Sequence, residues 1–431
     1  MKLPRPLLPL LALLLLAGCV SAGPVRESLD SIARDYVKLQ LAIGEKEEGY
    51  IDAYYGPPEW QAEAKMSADT QAVLAQRAGV LTVRLRSLDS RRLEPMERRR
   101  RDFLIAQLKA ASTRLAMMRG AKLSFADEAE ALFGVRPELK PLSAYDPVLA
   151  RIERLVPGEG PLSARVDAFQ ERFTIPKDRL KPVFDAAIAE CRRRTLEHIG
   201  LPANERFALE FVTGKSWGGY NWYKGDSASL IQVNTDFPTR IGRAVDLGCH
   251  EGYPGHHVYN ALLEAKLARG RGWVEYMIYP LYSPQSFIAE GSANYGIELA
   301  FPGAEKLSYE TRTLYPLAGL RTEDAAAFAS LQEAMKDLAG ARFTVARDYL
   351  EGRIDRARAI ELAQKYQLVS SARAEQSVRF TEQYRSYVIN YGLGLDMVRS
   401  AVERAGPSPE ARWAAMEKIL SEPTLPSDLG R

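Results

Sequence analysis

Residues 250–257 read His250-Glu251-Gly252-Tyr253-Pro254-Gly255-His256-His257 and hold three of the chain's four histidines. Imidazoles clustered with a glutamate are the donors of a zinc-hydrolase helix, where two histidines one turn apart share the ion and the glutamate handles protons. The spacing departs from that pattern. On a regular helix, residue i+6 lies roughly 120° around and about 9 Å along from residue i. His250 and His256 could not then share an ion whose bonds to nitrogen are about 2.0–2.1 Å. His257, at i+7, returns to the same face but stands about 10.5 Å further along the axis. Pro254-Gly255 supplies the remedy, because proline removes a backbone donor and glycine accepts unusual dihedrals. A loosened or bulged turn there brings His256 to the place of an i+4 ligand by absorbing two residues, with His257 as the alternative ligand. The stretch therefore predicts an interrupted helix carrying a metal site at the interruption.

A third protein ligand has to come from elsewhere in the chain. Glu290 stands at the start of a helical pattern, with Asn294 one turn on. Two histidines, one glutamate and a water form a common catalytic zinc set, and Asn294 would orient an imidazole from behind. Glu251, next to a ligand without being one, is the candidate general base.

Outward from this point the text is mostly helical. From residue 25 to about residue 200 apolar positions recur with helical period, as in Phe103, Leu104, Leu108, Leu115 and Met118. Ser124 with Asp127 opens a helix as a capping box, and Gly56-Pro57-Pro58 and residues 157–161 mark turns. Arg98, Arg99, Arg100 and Arg101, among Glu94, Glu97 and Asp102, read as a solvated helix face. The aromatic stretch 50–58 either closes over a cleft or packs one helix on the next. The character changes at Glu205. Residues 207–212 and 229–234 read as strands on either side of a glycine- and aromatic-rich stretch, 217–223. Helical text then returns from Arg240 to about Leu420. The expectation is a mainly α protein with one small antiparallel sheet beside the active-site helix. Regions 26–200 and 201–431 would join in one compact unit.

The chain has 431 residues, 46% of them hydrophobic, enough for one large core or two moderate ones. Lys2 and Arg5 precede a leucine-rich run from Leu7 to Leu16, and Leu16-Ala17-Gly18-Cys19 follows. The run is short for a membrane span, which needs about 20 residues. It reads as a signal peptide over 1–18, with 19–25 as an anchor linker. The tetrapeptide resembles the bacterial lipobox, in which the cysteine is acylated. Val20 after Cys19 points to the outer membrane facing the periplasm, with membrane lipid as a partner. Without Lys2 and Arg5 the net charge falls from +3 to +1, which offers no electrostatic case for nucleic acid. Cys191 and Cys249 read as two buried free thiols, although an oxidising compartment would let them pair.

The octapeptide His250–His257 resembles the H-E-G-x-P-G-H-H signature of the DUF885 family, relatives of the zincin-like metallopeptidases. Val233-Asn234-Thr235, Glu290-Gly291 and a Tyr-x-x-Gly element at Tyr391–Gly394 extend the resemblance over most of the mature chain. It implies a helical zincin-like fold, a divalent metal and peptidase activity. Many members carry a further histidine in the segment corresponding to Arg342–Ile360, which has none here. Within the matching C-terminal stretch, Tyr391 is the first candidate for a donor to the oxyanion, Tyr387 the second, and Arg385 a candidate for a substrate carboxylate. Residues 230–234, with Val233 and Asn234, would line the cleft as an edge strand and pair with substrate backbone.

These readings point to a zinc-dependent hydrolase of the metallopeptidase type acting on a peptide or other amide. Other divalent metals suit the same nitrogen and oxygen donors. A scaffold lipoprotein that keeps the metal for structure, and a zinc amidase acting on a cell-wall or other non-peptide amide, are the competing expectations.

Overall fold

The computed structural model describes residues 28–430; Cys19 and the leader lie outside the described residues. Helix starts follow the capping chemistry of the sequence. The side chains of Ser28, Thr70, Ser124, Asp355, Ser370 and Ser408 each accept a backbone N–H from the first turn of the helix that follows, satisfying donors that a helix leaves open. Glu94 and Glu97 cap each other across the start of the Pro95–Met118 helix. The chain is mainly helical, with two small sheets. One apolar core draws on side chains from Leu29 to Leu429, and a smaller one runs from Tyr145 to Val378.

The arginine run 98–101 is not a wholly solvated face. Arg100 is buried, pairs with Glu275 at 2.5 Å and Asp30 at 2.5 Å, and lies over the Trp273 ring. A buried guanidinium needs such partners, and they lie too far along the chain to be visible in the run itself.

The sheet beside the site is mixed and not antiparallel. Strands β2 (Arg206–Val212), β3 (Gly219–Gly225) and β4 (Ala228–Asn234) lie in the order β2-β4-β3. The glycine- and aromatic-rich stretch is itself β3, joined to β4 by a tight turn in which Asp226 and Ser227 have φ of 53° and 52°. That hairpin makes β3 and β4 antiparallel. It leaves the other side of β4 for β2, which pairs in parallel. A second sheet, invisible in the local pattern, pairs Ile51–Tyr54 (β1) with Ile278–Pro280 (β5).

The site segment begins as the Gly242–Leu247 helix, widens to a π-helical turn at Gly248–Gly252, and breaks at residues 253–255. A new helix, His256–Leu263, starts at the second histidine, so the interruption is a full break rather than a bulge within one helix. Gly255 sits against the preceding turn, where a Cβ would lie 1.8 Å from the His250 carbonyl oxygen. Behind the site, the Pro284–Ala300 and Ile389–Glu403 helices meet at Gly291 and Gly394, where a Cβ on Gly291 would lie 2.6 Å from Gly394 backbone. This close approach brings Glu290 and Tyr391 to one place.

Candidate metal centre

His250 comes from the π-helical turn, His256 from the first turn of the next helix, and Glu290 from the middle of the Pro284–Ala300 helix. The fold brings them together. His250 Nε2 and His256 Nε2 are 3.1 Å apart, and Glu290 Oε2 lies 3.3 Å from the first and 3.7 Å from the second. Donors bound tetrahedrally at about 2.05 Å stand about 3.3 Å from one another. The three atoms therefore fit one ion.

Two of the three donors are held from behind. Tyr387 donates to Glu290 Oε1 at 2.9 Å, while Oε2 is buried without a hydrogen-bond donor. The Asn294 amide donates to the carbonyls of Glu290 and Tyr391, so its oxygen faces His250 Nδ1 at 3.2 Å as an acceptor. That contact places the proton on Nδ1 and leaves Nε2 as the lone-pair nitrogen. Burial disfavours charge on Glu290, but His250 and His256 outweigh it and hold the carboxyl well below the usual range. Burial likewise opposes a proton on His256, yet Glu290, with Glu251 and Asp52, raises it to about 9.

His257 lies outside this trio. Its Nδ1 is 2.8 Å from Ser229 Oγ and its Nε2 is 3.0 Å from Glu205 Oε2. Successive helix residues point about 100° apart, so the two neighbouring imidazoles serve different sides. Ser229, His257 and Glu205 have the connectivity of a hydrolytic triad, but His257 is 0% exposed and Ser229 5%. No substrate reaches them. They anchor the broken turn to β4, together with Tyr253, which also donates to Glu205 at 2.6 Å.

Cys249, next to His250, is bonded to Cys191, with Cα atoms 5.4 Å apart. The two cysteines are therefore not free thiols, and Cys249 is no ligand. The disulfide fastens the π-helical turn to the Leu180–Leu196 helix. Packing of those two helices set this distance, which the spacing in sequence does not encode.

The trio opens into a cleft of about 430 Å³ lined by Glu251 and Tyr391 among others. Burial raises the Glu251 carboxyl above its usual range, with His250 and His256 pulling the other way. The Tyr391 hydroxyl has no partner among the described residues, whereas that of Tyr387 is taken by Glu290. Tyr387 also lines the cleft, with its hydroxyl committed to Glu290.

Three expectations about substrate contacts do not hold. Arg385 is bonded to the buried Glu128 at 2.8 Å and does not line the cleft. Val233 is buried, and the Asn234 amide donates to the carbonyls of Lys215 and Trp217. Because β4 is the central strand, the edge facing the cleft is β3, with Gly219, Tyr220 and Asn221.

Among the cleft residues not read from the sequence are Asp52 and Arg342. Asp52, on β1, accepts a hydrogen bond from Tyr220, and burial raises its carboxyl to about 6. Arg342 comes from the Ala339–Leu350 helix. The aromatic stretch 50–58 hinted at the first; a lone arginine in a charged helix carries no signal.

No protein-family model and no curated protein matches this chain. Among solved structures, one described as a candidate lipoprotein from Colwellia psychrerythraea is 16% identical, with a TM-score of 0.48 over 81% of this chain and 69% of that one. The M32 carboxypeptidase from Deinococcus radiodurans R1 is 14% identical, with a TM-score of 0.35 over 91% of this chain and 88% of that one. At these scores neither superposition carries an inference about activity.

Proposed function

We propose that this chain is a zinc-dependent hydrolase of the metallopeptidase type, cleaving a peptide or other amide bond. The observation that carries the reading is the trio His250 Nε2, His256 Nε2 and Glu290 Oε2, spaced 3.1–3.7 Å apart at the floor of a cleft. The buried, unpartnered Glu290 Oε2 is the atom an ion would satisfy. The resemblance of residues 250–257 to the DUF885 signature points the same way. When bound, the ion would supply Lewis acidity, polarising a carbonyl and lowering the pKa of water towards about 7.

The chain's own residues do the rest. Glu251, buried beside both imidazoles, takes the proton of the attacking water and returns it to the leaving nitrogen. Tyr391, which lines the cleft with no hydroxyl partner among the described residues, would donate to the oxyanion. The open edge of β3 offers backbone groups to an extended substrate. Among the described residues no helix is long and apolar enough to cross a membrane. Attachment through acylated Cys19, with the chain facing the periplasm, completes the proposal, and a disulfide suits an oxidising compartment.

The test uses residues 22–431, with metal counted by mass spectrometry and hydrolysis followed on peptide pools and peptidoglycan fragments. Wild type should hold about one zinc per chain and His256→Ala almost none. Glu251→Gln should keep the zinc while hydrolysis falls about 10²–10⁴-fold. Zinc without any hydrolysis would favour the scaffold, and cleavage confined to peptidoglycan fragments the amidase. A wild-type chain that holds no metal after zinc loading and dialysis overturns the proposal.

A further inference from the structure

The cleft is lined by carboxylates, Asp52, Asp246, Glu251 and Glu290, and by three arginines, Arg243, Arg342 and Arg373. Arginines elsewhere in the fold are mostly matched to carboxylates, as Arg100 is to Glu275, Arg114 to Glu47 and Arg399 to Glu298. None of the three cleft arginines has a carboxylate within 4.0 Å among the described residues. Arg373 donates to the Pro238 carbonyl at 2.9 Å. Among the described residues no acceptor meets the Arg342 side chain, and its Nε is buried.

Arg342 is held by its faces. Its guanidinium carbon lies 5.0 Å from the Phe380 ring centre and 5.8 Å from that of Tyr391. Cation–π contact of this kind fixes the plane of the group and leaves its in-plane N–H donors unspent. Burial works against the Arg342 charge, and Tyr391 and Glu290 support it only through space. The group is half-buried at the cleft surface, and its buried Nε donor goes unmet unless a ligand supplies an acceptor. Its ring neighbour Tyr391 in turn packs 5.9 Å from Tyr387, which holds Glu290, so Arg342 stands close to the reacting centre.

We propose that Arg342 anchors a substrate carboxylate by a bidentate contact, so that preferred substrates carry a carboxylate close to the cleaved bond. This rests on the hydrolase reading of the same cleft and adds its substrate class. The carboxylate has two sources, a free C-terminus or an Asp or Glu side chain, and both present the same planar pair of oxygens.

The test is binding, not turnover. Zinc-loaded Glu251→Gln protein is incubated with four random hexapeptide pools: C-terminal acid or amide, each with or without Asp and Glu. Retained peptides are identified by mass spectrometry. Retention of acid-bearing pools should exceed that of the neutral amide pool about tenfold or more. Adding Arg342→Gln should abolish the preference, and Arg342→Lys should keep part of it. The acid pool without Asp and Glu reports the C-terminal source, and the amide pool with them the side-chain source. N-acetylglycine should displace the retained acidic peptides while N-acetylglycinamide does not, a check that needs no Arg342 variant to fold. Equal retention of the neutral pool, a preference that survives Arg342→Gln, failure of N-acetylglycine to compete, or no retention of any pool overturns the proposal. A chain that binds zinc and cleaves neutral, amide-capped peptides as fast as acidic ones keeps the hydrolase reading and loses this one.

Discussion

Tyr387 donates its hydroxyl to Glu290 Oε1 at 2.9 Å, and Glu290's other oxygen, buried and unpartnered, is the one facing the two imidazoles. A tyrosine a hundred residues downstream thus decides which oxygen is offered to an ion. Removing a group that orients a ligand typically lowers metal affinity about 10–100-fold. Tyr387→Phe should show that loss against a competing chelator while its melting temperature stays near that of wild type. Unchanged affinity would mean that the hydrogen bond does not position Glu290.

The disulfide should matter to stability as well as to the site. Cys191 and Cys249 close a loop with a sequence separation of 58. Constraining the unfolded chain in this way is typically worth roughly 2–4 kcal/mol. Urea melts of the Cys191→Ala/Cys249→Ala protein should show a deficit of that size, and wild type in reductant should match it. A stable reduced protein with full zinc content would show that packing alone holds the π-helical turn.

Acid should weaken the anchor behind the broken turn. Burial alone would raise the Glu205 carboxyl, but hydrogen bonds from His257, Tyr253 and Arg192 lower it to about 2, against an ordinary value of about 4.3. A depressed carboxyl stabilises the fold above its unfolded value and loses that effect as pH falls towards its folded one. Wild type should therefore exceed Glu205→Gln by about 3 kcal/mol at neutral pH, with the gap closing between about pH 4 and pH 2. The comparison is made by denaturant melts across that range. A gap independent of pH would assign the role of Glu205 to shape rather than charge.

Gly255 should tolerate no side chain. The Cβ of alanine would fall 1.8 Å from the His250 carbonyl oxygen, a backbone atom that moves only by displacing the ligand's own turn. Gly255→Ala should cost roughly 1–3 kcal/mol and lower zinc content well before it unfolds the chain. Normal zinc binding in a stable Gly255→Ala protein would refute the close packing of the two turns.

The legible part of this protein was local. Ser124, read with Asp127 as a capping box, announces its helix, because a cap acts within one turn of itself. The histidine cluster and Pro254-Gly255 named the segment that supplies two of the three candidate donors and where its helix is interrupted. What was misread depended on distant partners. Arg100 looked solvated until Glu275 and Asp30 were in place, and Arg385 looked free until Glu128 reached it. The order of the three strands follows from which edge of β4 the hairpin left open, and alternation within a strand carries no record of that.

The chemistry of the donors and the break between them belong to the sequence, since residue type and spacing dictate what one segment can bind and how it can bend. Only the tertiary structure decided that His256 turns towards Glu290 while His257 turns towards Glu205, that Cys191 meets Cys249, and that Arg342 lines the cleft with no carboxylate beside it among the described residues. Each of those outcomes is a meeting of groups far apart in the chain. Such meetings are set by how whole helices pack, and no short window of sequence contains them.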